Sequence, residues 1–364
     1  MEIIAPAPRL AKEKIAKSSL SVEKMGAFIA SLQEESGEIP WSEGGKTDPW
    51  DHVESAMGLC VGGFYEDARR AYRWLAPTQL ADGSWWSETL NGEIINPTKE
   101  TNFSSYIAVG LFHYYLITGD LELLSQMWPV MEGGINYAVK LQSPQGDIYW
   151  AKNKDGKTDK MSLLTGSSSV YMSLKCALAI AALLGKKRAR WQKAMISLGE
   201  AIRYKPDVFN MLKSRYAMDW YYPVLCGAIS GKEAKKRIDK YWEKFIVPQW
   251  GVRCVSDRPW ITMAETAELV LALAAVDDYV RARAVFSWLS DKKYPDDTYW
   301  MGVTYPDAII WPDEKSGWTT AAVMLAWDAL NDVTPAGKIF NHKFWDSWKG
   351  WKISCISNAQ KPKR

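Results

Sequence analysis

The feature that most constrains this chain is an alternation between two kinds of helical segment. One kind is amphipathic. Ser21 to Gln33, Tyr65 to Gln79, Asp120 to Gln142, Lys187 to Ile202, Lys232 to Phe245 and Asp277 to Leu289 set charged residues on one face and apolar residues on the other. The other kind is nearly free of charge: His52 to Gly62, Thr101 to Thr118, Gly166 to Leu184, Met218 to Ile229, Thr266 to Val276 and Thr319 to Leu330. A helix wetted on one side needs a single apolar stripe, whereas a helix apolar all round must be buried all round. Six such pairs, one roughly every 50 residues, predict a repeat in which each outer helix covers an inner one. The expected fold class is all-α: an (α/α)6 toroid, six helical hairpins closed into a ring. The toroid is expected over residues 18–334 as the catalytic domain, after an N-terminal arm at 1–17. An aromatic and basic tail at 335–364 is expected to pack back on the ring through Phe344, Trp345, Trp348 and Trp351.

The junctions repeat as well. Gln33, Gly37 and Trp41, then Gln79, Gly83 and Trp85, then Gln142, Gly146 and Trp150 share one order, and Gln249 with Gly251 follows it loosely. Glycine permits the turn, and the aromatic is expected to fold back over the helix end. The stretch QLADGSW (Gln79 to Trp85) resembles the Gln–Trp motif of squalene–hopene cyclases and related prenyltransferase-type toroids. The six-pair count, with Thr118 to Gln142, Ser168 to Gly185 and Trp318 to Leu330, is more similar to the six-hairpin glycosidases of the glucoamylase type. DPWDHVE, ETNF, CVSDRPW and WPDE look like a bacterial group that includes hydrolases of methylmannose polysaccharide. That resemblance implies endo-cleavage of an α-mannan-like chain. No close copy of the glucoamylase catalytic glutamate motif occurs, so α-glucosidase specificity is not implied.

Composition excludes several classes. A net charge of +3, with basic residues not interleaved with aromatics, does not suit nucleic acid. The three histidines (His52, His113 and His342) have no zinc-ligand spacing, so neither a metal nor another cofactor is expected. Five dispersed cysteines read as buried thiols of a reducing, cytoplasmic compartment. No run of 18 apolar residues is present, so no stable membrane insertion is expected. A homodimer is compatible with the chain. The 20 tryptophans call for structural plugs or for platforms that stack on a ligand.

The outer-to-inner loops are long and aromatic, which places a site at the N-termini of the inner helices. Acids collect there: Asp48, Asp51 and Glu54; Glu100; Asp219; Glu265 and Glu268; Asp307, Asp313 and Glu314. Each has a plain reading as a helix cap. As a set, in an aromatic funnel, they suit glycosidic cleavage, which needs one protonated carboxyl and one ionised carboxylate. Asp51 and Glu265 are the expected catalytic pair, with Asp48 tuning Asp51; which of the two is the acid stays open. Trp50, His52, Glu100, Asn102, Asp219, Trp220, Trp260, Asp307, Trp311 and Glu314 are expected to bind the carbohydrate. Two other readings compete. An isoprenoid cyclase shares the toroid, but neither DxDD nor DDxxD is complete here. A non-catalytic sugar-binding toroid would keep the aromatics and lose the acids' work. Lys175, inside the third inner segment, is expected to snorkel or to pair with a funnel acid.

Overall fold

A computed structural model describes residues 20–347. The arm at 1–17 and the tail from Trp348 onward, Trp351 included, lie outside the described residues. Six outer helices are α1 (Val22–Leu32), α3 (Tyr65–Thr78), α6 (Leu121–Lys140), α8 (Ala189–Tyr204), α10 (Gly231–Phe245) and α12 (Tyr279–Ser287). The inner ring comprises α2 (Pro49–Val61), α4 (Thr101–Ser105) continued by α5 (Ile107–Thr118), α7 (Leu164–Leu183), α9 (Ala217–Leu225), α11 (Met263–Ala275) and α13 (Gly317–Asn331). Each inner helix packs on the next, and α13 returns to α2 to close the ring. The closure is tight. A β-carbon on Gly58 of α2 would sit 2.7 Å from that of Ala321 on α13, so any larger side chain would push the two helices apart. By length and composition α7 could cross a membrane, but 89% of its apolar window is buried inside the ring.

The repeated junction is a staple. Gln79 Nε2 donates to Gly83 O at 3.0 Å, in its own turn, and to Val130 O at 2.8 Å, on the next outer helix. Gln33 and Gln142 repeat the arrangement with Gly37 and Asp67, and with Gly146 and Ala194. The three glycines have φ of +98°, +91° and +100°. A β-carbon at any of them would meet a backbone oxygen of the next outer helix within 2.5 Å, so both conformation and space demand glycine. Gln249 departs from the pattern and itself takes a positive φ, 67°. Only Trp85 folds back over its helix end, donating to Leu75 O at 3.1 Å. Trp41 and Trp150 instead donate to Asp48 and Glu100.

Among the described residues nine short strands decorate the helical ring. β1 (Glu88–Leu90) and β2 (Glu93–Asn96) form a hairpin, and β3 (Lys99–Glu100), β4 (Tyr149–Lys152) and β5 (Thr158–Ser162) a small sheet. β6 (Ile246–Val247), β7 (Gly251–Arg253), β8 (Trp260–Thr262) and β9 (Gly302–Thr304) form another, all antiparallel. All lie in the outer-to-inner connections, so one mouth of the ring is elaborated. The opposite end has short turns and is covered by α14 (His342–Ser347). There Trp345 is 6% exposed, with its ring 5.6 Å from Phe112. Lys175 meets this end: its Nζ lies 4.5 Å from the Trp345 ring and donates to Cys226 O at 3.4 Å. Buried under the tail helix, it forms a cation–π contact in place of the expected pairing with a funnel acid.

Candidate active site

Helix α2 begins with Asp48 as its cap, Pro49 in the first turn, and Asp51 in the third helical position. Asp48 Oδ1 accepts the Asp51 N–H at 2.9 Å and Oδ2 accepts the Trp41 indole. Proline fits here because its missing N–H would have no intrahelical partner. Asp51 and Glu54, three apart, share a helix face. Helix α11 repeats the pattern with Glu265 in its third position and Glu268 three further on. The α2 and α11 faces converge beside α13, which packs on both. Trp50 sits within the cluster, its ring 5.1 Å from Tyr106, 5.7 Å from Tyr222 and 5.9 Å from Phe103.

The two expected catalytic acids have opposite surroundings. Burial holds the Asp51 carboxyl well above the usual carboxylate range, and the charges of Asp48 and then Glu54 push it further. A bond from Asp51 to Asp48 also favours its protonated form. Glu265 is pushed up to about 7 by burial, but the Thr262 hydroxyl and the Cys254 thiol both act to stabilise its charge. Glu268 is clamped by Tyr222 Oη at 2.9 Å and by Tyr221. Burial raises both Glu54 and Glu268, and their mutual repulsion adds to Glu54. Glu100, at the head of α4, accepts from Trp150 Nε1 at 2.7 Å and Ser87 Oγ at 3.1 Å, and faces Asp48.

Other expected ligands of the sugar lie elsewhere. His52 points outward from α2: its Nδ1 accepts the Ile39 N–H at 3.1 Å and its Nε2 lies 2.9 Å from Ala71 O on α3. Trp220 stacks on Phe245 of α10 at 5.2 Å and donates to Arg237 O. Asp219 accepts Thr165 N at 3.1 Å and Thr165 Oγ1 at 2.6 Å, so it caps α7. These three hold helices together. Glu314 accepts from Ser42 and so ties the last loop to the first. Asp307 is exposed. Trp260 and Trp311 form an edge-to-face pair at 5.3 Å, with Trp311 58% exposed. Strand alternation puts Trp260 on the face of β8 that also carries Thr262, the residue gripping Glu265. Conversely, Glu54, Glu268, Tyr106, Tyr221 and Tyr222 belong to the cluster without having been expected as ligands or catalysts. The carboxyl spacing Asp51–Glu54 and Glu265–Glu268, in helices otherwise nearly free of charge, was the signal for two of them.

Among the described residues no three His, Cys, Asp or Glu side chains are placed to share a metal ion. A cavity of 320 Å³ is lined by Asp48, Trp74, Trp85, Trp86 and Ile94 among others.

No family model matches the sequence. Over 312 residues, 86% of each chain, it is 46% identical to the MMP endo-(1,4)-3-O-methyl-alpha-D-mannosidase of Mycolicibacterium hassiacum. The chain belongs to this mannosidase family. It is therefore a glycoside hydrolase that cleaves a polysaccharide, and the isoprenoid and purely sugar-binding readings fall. Solved structures share the toroid at low identity. A GH63 mannosylglycerate hydrolase from Thermus thermophilus superimposes with a TM-score of 0.63 at 9% identity, over 84% of this chain and 99% of its own. A wild-type glycosidase gives 0.64 at 14%, over 86% and 96%. A D-mannose isomerase gives 0.65 at 12%, over 84% and 95%, so the toroid alone does not choose the reaction. In this mannosidase-family member the reaction has to be read from the carboxyl cluster.

Proposed function

We propose that this enzyme cleaves internal bonds of a 3-O-methylated α-mannan chain, with Asp51 as general acid and Glu265 as general base or nucleophile. The substrate and endo action are carried over from the Mycolicibacterium hassiacum relative. The roles rest on one observation: Asp51 is surrounded by like charge, while Glu265 receives a hydroxyl and a thiol. Burial and a helix N-terminus act on both residues alike; neighbouring negative charge keeps Asp51 protonated, whereas hydroxyl and thiol donors favour a carboxylate at Glu265. Asp51 then delivers its proton to the glycosidic oxygen as the C–O bond breaks. Glu265 takes a proton from the water that attacks the anomeric carbon, or attacks that carbon itself. Asp48 holds Asp51 and, with its negative charge, maintains it as the donor.

Sugar binding is assigned to Trp50, Glu100 and Asn102 inside the funnel and to Trp260 and Trp311 at its mouth. Buried Asn102 Oδ1, Ser167 Oγ and Trp318 Nε1, all in first turns of inner helices, have no hydrogen-bond partner among the described residues. Buried polar atoms are otherwise nearly always paired, which supports their use by sugar hydroxyls. The test is incubation with methylmannose polysaccharide, reading fragment sizes by mass spectrometry and the first-formed anomer by NMR. Internal fragments are expected; release of single terminal sugars, or no cleavage, overturns the reading.

A further inference from the structure

Two buried carboxyls are left without a role by that mechanism. Glu54 lies one helical turn below Asp51, and Glu268 one turn below Glu265; they retain 5% and 7% of their surface. Their environments differ. Both oxygens of Glu268 accept a tyrosine hydroxyl, an arrangement that favours the ionised form. Glu54 has the Trp50 side chain as its donor and faces the charge of Glu268 and, more weakly, of Asp48. The other titratable groups around the pair are Asp51 from α2, Tyr106 between α4 and α5, Cys176 from α7, Cys226 after α9, Cys254 before α11, and Glu265. Lys46 faces Asp48 and Asp51. Burial pushes Glu268 up to about 8 and holds Glu54 well above the usual carboxylate range; two carboxylates in one apolar pocket repel, and the tyrosine donors make Glu268 the first of the two to ionise.

We propose that Glu54 and Glu268, once Glu268 ionises, hold one proton between them, carried by Glu54, and that Glu54 is a substrate-binding residue donating to a sugar oxygen at the funnel floor. The proposal rests on the glycosidase site described above. It has a chemical consequence. A carboxylate can only accept, whereas a carboxylic acid also donates. An ether oxygen only accepts, so a neutral Glu54 can grip a methylated position that a carboxylate would repel.

The experiment measures kcat and KM on methylmannose polysaccharide against pH for the wild type, Glu54→Gln, Glu54→Leu and Glu268→Gln. Glu54→Gln keeps a donor, so turnover stays within about tenfold of wild type and the rise of KM at high pH disappears. Glu54→Leu removes the donor and raises KM by about tenfold or more. Glu268→Gln removes the like charge, so Glu54 ionises sooner and the rise of KM moves to lower pH by about one unit or more. A Glu54→Gln enzyme with kcat reduced more than a hundredfold at unchanged KM would make Glu54 part of the bond-breaking machinery and overturn the proposal. So would KM profiles identical in all four enzymes, the mark of a purely structural pair. Infrared spectroscopy tests the proton without any substrate. A protonated-carboxyl band component present in the wild type at neutral pH is expected to vanish in Glu54→Gln; its persistence overturns the proposal, whereas failure of the wild type to cleave the polysaccharide overturns only the substrate assignment.

Discussion

Three inner helices carry an acid at the same third position: Asp51 on α2, Asp219 on α9 and Glu265 on α11. By helix physics alone the three are equivalent, each poised near free N–H groups. The fold separates them by what stands opposite. Asp219 faces the first turn of α7, and Thr165 takes its Oδ1 with both a backbone and a side-chain donor. Arg237 from the outer ring then grips the α9 backbone at the carbonyl of Asp219, 2.6 Å away. Asp51 and Glu265 instead flank α13, whose first turn is Gly317, Trp318 and Thr319, without an acid or a base. Glu265 is held by Thr262 and Cys254 ahead of its own helix and Asp51 by Asp48 of its own cap, whereas Asp219 fastens α9 to α7.

The comparison breaks most readily by mutation. Asp51→Asn and Glu265→Gln should each lower kcat on methylmannose polysaccharide by about a hundredfold to ten-thousandfold, the scale of general acid–base catalysis. Asp219→Ala should leave kcat within a few-fold and lower the melting temperature, because Thr165 loses its partner at a cost of about 1–3 kcal/mol. Reducing-end release and thermal unfolding check the two expectations together. A smaller effect sharpens the account of Glu265. Thr262→Val deletes a donor to the ionised form, so the carboxyl should rise above about 7. The acidic limb of the kcat profile, where the base is lost to protonation, should then move to higher pH by up to about one unit. The smallest effect belongs to the mouth. Trp311→Ala should raise KM for long chains by about twofold to tenfold, as for one lost aromatic contact, and leave short fragments unaffected.

Much of the ring was legible in the sequence because the difference between one-sided and all-round burial is written into charge placement. The staples were legible as a Gln–Gly spacing, though their purpose, bridging one outer helix to the next, required the neighbour's backbone. Within the candidate site, two of the expected ligands turn away from the acid cluster for one reason. His52 and Trp220 stand next to acids in the chain, but neighbours along a helix are about 100° apart around it and do not share a face. His52 therefore turns to α3 and Trp220 to α10. Glu54 and Glu268, three residues on, share the acids' face, so spacing was the better guide than adjacency. Tyr221 and Tyr222 could not have been linked to Glu268 from the chain alone, since they stand 47 and 46 residues from it. The strands of the mouth were missed because runs of two to five residues leave no periodic signal.

The most direct test of the central claim is a crystal structure of the Asp51→Asn enzyme with an uncleaved 3-O-methylmannose oligosaccharide. The account predicts a glycosidic oxygen within hydrogen-bonding distance of residue 51 and the neighbouring anomeric carbon facing Glu265, with Asp219 still bound to Thr165. A scissile bond lying against Asp219, or outside the cluster formed by α2 and α11, would contradict it.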